Sequence, residues 1–374
     1  MVKQRTSAEP RPMAEVRANM LERARHLRNP FAYTRYEEVE GVLNRLDSVD
    51  REAWAQAFSA LAAPYEERAA QAEQAGNREA ALQNYLTAYD YYHVARYPAP
   101  NSPGKLEAYR RSQANFLKAA RLMDPPLERV EMPFQGRPGE GNVSVGYLRK
   151  PQGVERPPVV ALWGGIDAFK EERRDDPYRE AGMATLVMDM PGVADAPLAG
   201  SEDAERLWDA MFDWIATRPD LDAQRVAVVG GSTGGYWAAK LAHTHRARLR
   251  AAICQGGCAH YAFTPEWIAK SRSGEYPFEL AETLACAFGL ATYEDWVENA
   301  PRFSLLRQGV LDQACAPLLL VNGTKDSVFP IEDMYLLLEH GSPKSARFAP
   351  VGHMGHTPEM QGIMVDWLRE RLTT

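Results

Sequence analysis

The stretch Val228–Trp237 reads VVGGSTGGYW: strand formers, two glycines, a serine and a threonine, two more glycines, then helix formers. Crowding of this kind has a physical reason. Where a strand turns sharply into a helix, their backbones approach closely, and a serine at that turn needs small neighbours. Gly230-Gly231-Ser232-Thr233-Gly234 fits the pattern G-x-S-x-G. The strand is expected to end near Gly230 and the helix to begin near Gly235, holding the Ser232 hydroxyl at the top of a sheet. The bland alternative is a glycine-rich turn with an incidental serine. A phosphate loop is disfavoured, because G-x-x-x-x-G-K-[ST] is absent.

The flanking sequence supplies the sheet. PPVVALWGG (157–165), ATLVMDMPG (184–192), RVAVVGG (225–231), LRAAICQGG (249–257), APLLLVNGT (316–324) and SARFAPVGH (345–353) are short apolar runs ending in turn residues. Most are separated by helical segments such as DAERLWDAMFDWIATR. Apolar strands alternating with helices predict a mostly parallel, doubly wound α/β sheet covered on both faces. LERVEMPF and GNVSVGYLRK alternate like half-exposed strands at its start. Reactive groups in such sheets gather beyond the carboxyl ends of the strands.

A serine hydroxyl needs a base, and the base an orienting acid. Asp326 follows the next-to-last strand and His353 the last, giving the order serine, acid, histidine. Asp333 is a weaker candidate acid inside the next helix. His356 precedes Thr357-Pro358-Glu359, which reads as the cap and first turn of the last helix, so a capping role is expected of it. The strand before the first crossover ends in Gly164-Gly165; backbone N–H groups of Ile166 and Thr233 are the expected oxyanion donors. The alternative is that the glycine pair only turns the chain.

The 374 residues exceed one ordinary core, so two domains, or one with a large addition, are expected. Residues 13–125 read as a helical domain with few β-branched residues, and 126–374 as the α/β domain, with an insertion at about 258–308. EQAGNREAALQNYLTAYDYY resembles a single tetratricopeptide-type hairpin turning at Gly76 and Asn77. No second copy follows at the same period, so no solenoid is expected. Residues 1–12 are polar, lack the apolar core of a signal peptide, and are expected to form a disordered tail.

The net charge of -7 argues against a nucleic-acid surface, and no apolar run reaches membrane-spanning length. Cys254, Cys258, Cys286 and Cys315 have no metal-type spacing and read as buried free thiols in a reducing, cytoplasmic compartment. No metal or organic cofactor is required by the serine chemistry. A homodimer is left open.

GGIDAFKEE (164–172) followed by GGSTGG (230–235) resembles a branch of the α/β-hydrolases that carries a helical N-terminal domain. The branch includes the 2,6-dihydropseudooxynicotine hydrolase of bacterial nicotine degradation, fungal polyketide-shortening pigment hydrolases and the FrsA-like proteins. The resemblance runs from about residue 80 to the C-terminus, and GHMG (352–355) adds to it. It implies an α/β-hydrolase fold with a helical lid, and hydrolysis of a carbon–carbon bond beside a ketone. The nicotine enzyme also uses a glutamate after the sixth strand; CQGGCAHYAFTPEW offers no clear equivalent, and His260 or Tyr261 is the expected replacement. The expected partner is a small carbonyl substrate, aromatic or polyketide-like, contacted by Trp163, Asp167, Tyr92, His260 and Tyr261. The tyrosines at 85, 89 and 92 read equally as helix packing. Lys170, Glu171 and Glu172 read as a structural charge cluster. Three readings stay open: a β-diketone hydrolase, a carboxylesterase or thioesterase on the same residues, and a non-catalytic interaction protein.

Overall fold

β5 (Asp222–Gly231) runs near the middle of an eight-stranded sheet and ends at the serine. The computed structural model describes residues 11–172 and 175–373. Within these the chain forms two units, one of residues 11–127 with Pro277–Glu279, the other of residues 128–276 and 280–373. The tail expected over 1–12 falls for residues 1–10 outside the described residues, and Pro12 precedes the first helix.

The first unit is helical: α1 (Met13–Arg25), α2 (Tyr36–Leu43), α3 (Arg51–Gln74), α4 (Arg78–Arg96) and α5 (Pro103–Ala120). The caps are encoded locally. Asp50, Asn77 and Ser102 accept the N–H of Ala53, Ala80 and Lys105 at the starts of α3, α4 and α5. Gly76, at φ +73°, closes α3, and the chain reverses at once into α4. α3, α4 and α5 pack through Ala69, Ala81, Tyr85, Leu86 and Ala119. Pro277–Glu279 completes this unit. Phe278 lies edge-on to Trp54 and Tyr97, with ring centroids 5.1 and 5.7 Å away. The buried Glu279 carboxylate accepts from Arg51 Nε at 2.7 Å and Asn101 Nδ2 at 3.2 Å, and lies 3.7 Å from Lys105 Nζ. Burial pulls the Lys105 ammonium down to about 8 although Glu279 opposes this.

The second unit is the sheet and its helices. In chain order it contains β1 (Glu128–Pro133), β2 (Val143–Arg149), β3 (Pro158–Trp163), α6 (Asp176–Glu180), β4 (Ala184–Met188), α7 (Leu207–Thr217), β5, α8 (Thr233–Thr244) and β6 (Ala251–Gln255). α9 (Pro265–Ser271), α10 (Leu280–Ala287) and α11 (Tyr293–Asn299) follow, then β7 (Leu318–Gly323), α12 (Ile331–Glu339), β8 (Lys344–Ala349) and α13 (Met360–Thr373). The strand order is β1-β2-β4-β3-β5-β6-β7-β8. β1–β2 and β2–β4 pair antiparallel, and every later pair is parallel. β3, β4, β6 and β7 are buried along their whole length, as strands covered on both faces must be.

Two local expectations are corrected. α13 begins at Met360, so Thr357-Pro358-Glu359 forms a turn before it, and His356 is exposed. Cys254, Cys258 and Cys315 are buried free thiols, but Cys286 is exposed. Burial pushes the Cys254 thiol up to about 12, which keeps it protonated. Among the described residues no helix is long and apolar enough to cross a membrane.

Candidate active site

The turn between β5 and α8 is a single residue. Ser232 has φ +55° and ψ −129°, a conformation unfavourable for a residue with a side chain. The surrounding packing enforces it. A Cβ on Gly230 would stand 2.0 Å from the Gly234 carbonyl oxygen, and one on Gly234 would stand 2.2 Å from that of Gly164. Glycine is the only residue either position admits. The Ser232 N–H donates to Gln255 O on neighbouring β6 at 2.8 Å. Thr233 N begins α8, where an N–H has no acceptor within its own helix.

The loops after β7 and β8 meet this turn. His353 Nε2 lies 2.9 Å from Ser232 Oγ, and His353 Nδ1 lies 2.8 Å from Asp326 Oδ2. A carboxylate only accepts, so Nδ1 carries the proton and Nε2 faces the serine as an acceptor. The Asp326 carboxylate is saturated: Oδ1 accepts the N–H groups of Val328 at 2.8 Å and Phe329 at 3.0 Å, and Oδ2 also accepts Asn322 Nδ2 at 2.9 Å. Asp333 points elsewhere. Fully buried, it accepts the N–H groups of His260 and Tyr261 at 2.7 Å and Ala262 at 3.1 Å, fixing the turn beyond β6.

Sequence reasoning missed Glu275. Its Oε1 accepts the His353 N–H at 2.6 Å, and its own N–H donates to Ser327 Oγ at 2.8 Å, so it joins the histidine loop to the aspartate loop. Burial disfavours charge on His353, but the Asp326 carboxylate, its hydrogen bond, Glu275 and Asp167 together outweigh it and raise the histidine pKa.

The loop after β3 lies against the serine. A Cβ on Gly165 would stand 2.8 Å from Ser232 Cβ, 3.0 Å from Oγ and 3.4 Å from Thr233 N. Ile166 is buried next to it and Asp167 is half-exposed. Further along, the buried Lys170 ammonium meets three carboxylates, Asp195 at 2.8 Å, Asp189 at 2.9 Å and Glu171 at 3.1 Å.

Two of the other expected substrate contacts, Trp163 and Tyr92, are corrected, both being fully buried. Trp163 is fully buried behind the turn; its indole N–H donates to Gly234 O at 2.8 Å, and its ring packs on Trp208. Tyr92 is buried in the helical unit, where its hydroxyl donates to Glu66 at 3.1 Å and Arg111 covers its ring. The His260 ring is tied to Ser304 Oγ at 2.7 Å, and Tyr261 is largely exposed beside it. Glu275, between α9 and α10, is a carboxylate that reaches the His353 backbone. Among the described residues no group of three or more His, Cys, Asp or Glu side chains is placed to hold a metal ion.

This chain resembles known hydrolases over most of its length. Esterase FrsA of Serratia proteamaculans (strain 568) is 26% identical over 302 residues, 78% of this chain and 70% of that protein. The α/β-hydrolase gkaG of Penicillium citrinum is 31% identical over 234 residues, 58% of this chain and 53% of that one. The crystal structure of 2,6-dihydroxy-pseudo-oxynicotine hydrolase shares the fold with a TM-score of 0.75 at 23% identity, over 91% of this chain and 93% of that one. AbyA5 does so with a TM-score of 0.74 at 24% identity, over 96% and 95%. The family model described as esterase FrsA-like matches residues 46–373, and the chain is therefore a member of the FrsA-like esterases, an enzyme of the α/β-hydrolase fold.

Proposed function

We propose that this enzyme is a serine hydrolase that forms an acyl-enzyme on Ser232, with His353 as base and Asp326 as its orienting acid. The observation that carries the reading is His353 bridging Ser232 Oγ and Asp326 Oδ2 at 2.9 and 2.8 Å. Ser232 Oγ attacks a substrate carbonyl while its proton passes to His353 Nε2. Asp326 stabilises the imidazolium and keeps its own charge. The oxyanion is received by the N–H groups of Ile166 and Thr233, for which the approach of Gly165 to Thr233 N supplies the support.

Collapse of the tetrahedral intermediate breaks a carbon–carbon bond of a β-dicarbonyl substrate. The bonding pair leaves as an enolate, which the second carbonyl stabilises, and His353 returns its proton to that product. Water then attacks the acyl-serine, giving its proton to His353, and the acid leaves as Ser232 regains a proton. Resemblance of GGIDAFKEE and GHMG to the ketone-cleaving branch favours an aromatic or polyketide-like diketone. A second reading, ester or thioester hydrolysis, is supported by the relatives named as esterases. Membership in an enzyme family removes the non-catalytic alternative.

A β-diketone panel run beside an ester panel, with fluorophosphonate labelling of Ser232, tests both halves. Ser232→Ala and His353→Ala should each lower kcat by about 10⁴-fold or more. Turnover retained by His353→Ala and lost in His356→Ala would move the base to His356. Rapid ester turnover with no diketone cleavage would select the second reading.

A further inference from the structure

The hydrogen bonds around Ser232 close into a ring, and the proposed triad is only half of it. From Ser232 Oγ the ring passes to His353 Nε2, and from His353 Nδ1 to Asp326 Oδ2. Asn322 Nδ2 donates to that same Oδ2 at 2.9 Å. Asn322 Oδ1 accepts the Met354 N–H at 3.0 Å, and the Met354 thioether sulfur accepts the Ser232 N–H at 2.9 Å, sharing it with Gln255 O. Five residues from the ends of β5, β7 and β8 thus constrain one another.

We infer that Asn322 and Met354 are positioning residues for the serine chemistry, setting the relative placement of the acid, the base and the serine. The inference rests on the serine-hydrolase reading above. Asn322 stands at the end of β7, fully buried, and its amide is oriented by function at both ends: the oxygen also accepts the Gly323 N–H at 2.8 Å, leaving the nitrogen for Asp326. One rigid side chain therefore fixes the spacing between the aspartate loop and the residue after the histidine. Met354 holds φ +70°, a strained conformation for methionine. That backbone turn aims its N–H at Asn322 and returns its sulfur to the serine turn. Gln255 Nε2 donates to Met354 O at 3.1 Å and braces it from β6. Strain at a non-glycine residue, held by three side-chain contacts, is what a preorganised site requires.

Asn322 also acts electronically. An N–H donated to Asp326 Oδ2 disperses part of the charge that faces His353. Without it the carboxylate attracts the imidazolium more strongly, and the histidine, already raised by Asp326, Glu275 and Asp167, rises further.

The test uses the full chain and an activated ester. In Asn322→Leu, kcat should fall about ten- to a hundred-fold, the range for a hydrogen bond to a charged group, with KM within about three-fold. The acid limb of kcat/KM should move to higher pH. Asn322→Ser, too short to reach both partners and small enough to fit, should show the same two changes if the leucine variant does not fold. Met354→Leu keeps the volume and removes the sulfur acceptor. It should cost a few-fold alone and nothing more on the Asn322 background, because the ring is already open. An unchanged kcat, a limb that stays or moves to lower pH, or losses that simply multiply would overturn the inference. Ser232→Ala is assayed in parallel: turnover surviving there defeats the serine reading itself, whatever the ring variants do.

Discussion

Gly165→Ala measures how tightly the loop after β3 is set against the serine. The added methyl would lie 2.8 Å from Ser232 Cβ and 3.0 Å from Oγ, with Thr233 N at 3.4 Å. Non-bonded carbons rest at about 3.5–4.0 Å, so the loop and the turn must separate by roughly 0.7–1.2 Å. Gly165 is not among the glycines with positive φ, so the substitution carries a steric cost and no backbone penalty. Overpacking of this size costs about 1–3 kcal/mol of stability, which a protein of this length can bear. The reacting groups tolerate far less. Displacing an aligned group by about 1 Å costs on the order of a hundred-fold in rate. The expected result is a folded protein whose kcat on an activated ester falls by about a hundred-fold. Fluorophosphonate labelling of Ser232 should slow in parallel, since it needs the same aligned hydroxyl. Wild-type turnover and labelling in a folded Gly165→Ala protein would refute the placement of this loop at the oxyanion position.

Four further outcomes are expected. If neutral His353 is the base, as proposed, then with its pKa raised above the ordinary 6.5 kcat/KM should fall as pH drops through that raised value. Glu275→Gln keeps the acceptor for the His353 N–H but removes a charge that favours imidazolium, so the acid limb should move to lower pH; a stationary limb in the pH profile contradicts the electrostatic role. Lys170→Met leaves Glu171, Asp189 and Asp195 facing one another without their cation and should cost about 3–5 kcal/mol in urea unfolding, with a loss below about 1 kcal/mol counting against a compensated buried cluster. Gly362→Ala, in α13 with nothing within 4 Å of the new methyl, should stabilise by about 0.5–1 kcal/mol, read as a higher thermal midpoint with unchanged activity.

The parts of this molecule legible in the sequence are those fixed by local constraint. The turn at Ser232 is legible because Gly230 and Gly234 are demanded by backbone approach within a few residues. Asp326 is legible because it follows an apolar run that forms a buried strand, and His353 because it follows the next strand in the order that G-x-S-x-G implies, although β8, at the sheet edge, is buried only at Ala349. The misreadings share a different cause. Trp163 ends β3 beside the serine turn, and nothing in the sequence says whether such a ring faces the ligand or packs behind the turn; packing with Trp208 decides it. Thr357-Pro358-Glu359 has cap chemistry without a cap, since α13 starts only at Met360. Glu275 lies in an irregular segment between α9 and α10, so its meeting with His353 depends on tertiary placement that no periodicity encodes. Pro277–Glu279 escapes for the same reason: Phe278 and Glu279 find partners more than 170 residues earlier in the chain.

The charge around His353 has a double consequence. In the proposed mechanism, Asp326, Glu275 and Asp167 would stabilise the imidazolium formed as Ser232 gives up its proton, and so lower the barrier to attack. The same three carboxylates hold the resting histidine more basic, so at a given pH below its raised pKa fewer molecules carry the neutral base. More negative charge therefore gains rate per active molecule and loses active molecules. The four hydrogen bonds received by Asp326 bear on this balance. Two come from backbone N–H groups fixed by the turn after β7, one from Asn322 and one from His353 itself. They spread the aspartate charge without removing it, so the nearest carboxylate orients the ring strongly while attracting its proton less than a bare anion would. Glu275 contributes through a different geometry: it binds the histidine backbone, and its charge acts on the ring from the side of the main chain. Orientation is thus assigned to Asp326 and placement of the loop to Glu275, and the working pH follows from the sum of their fields.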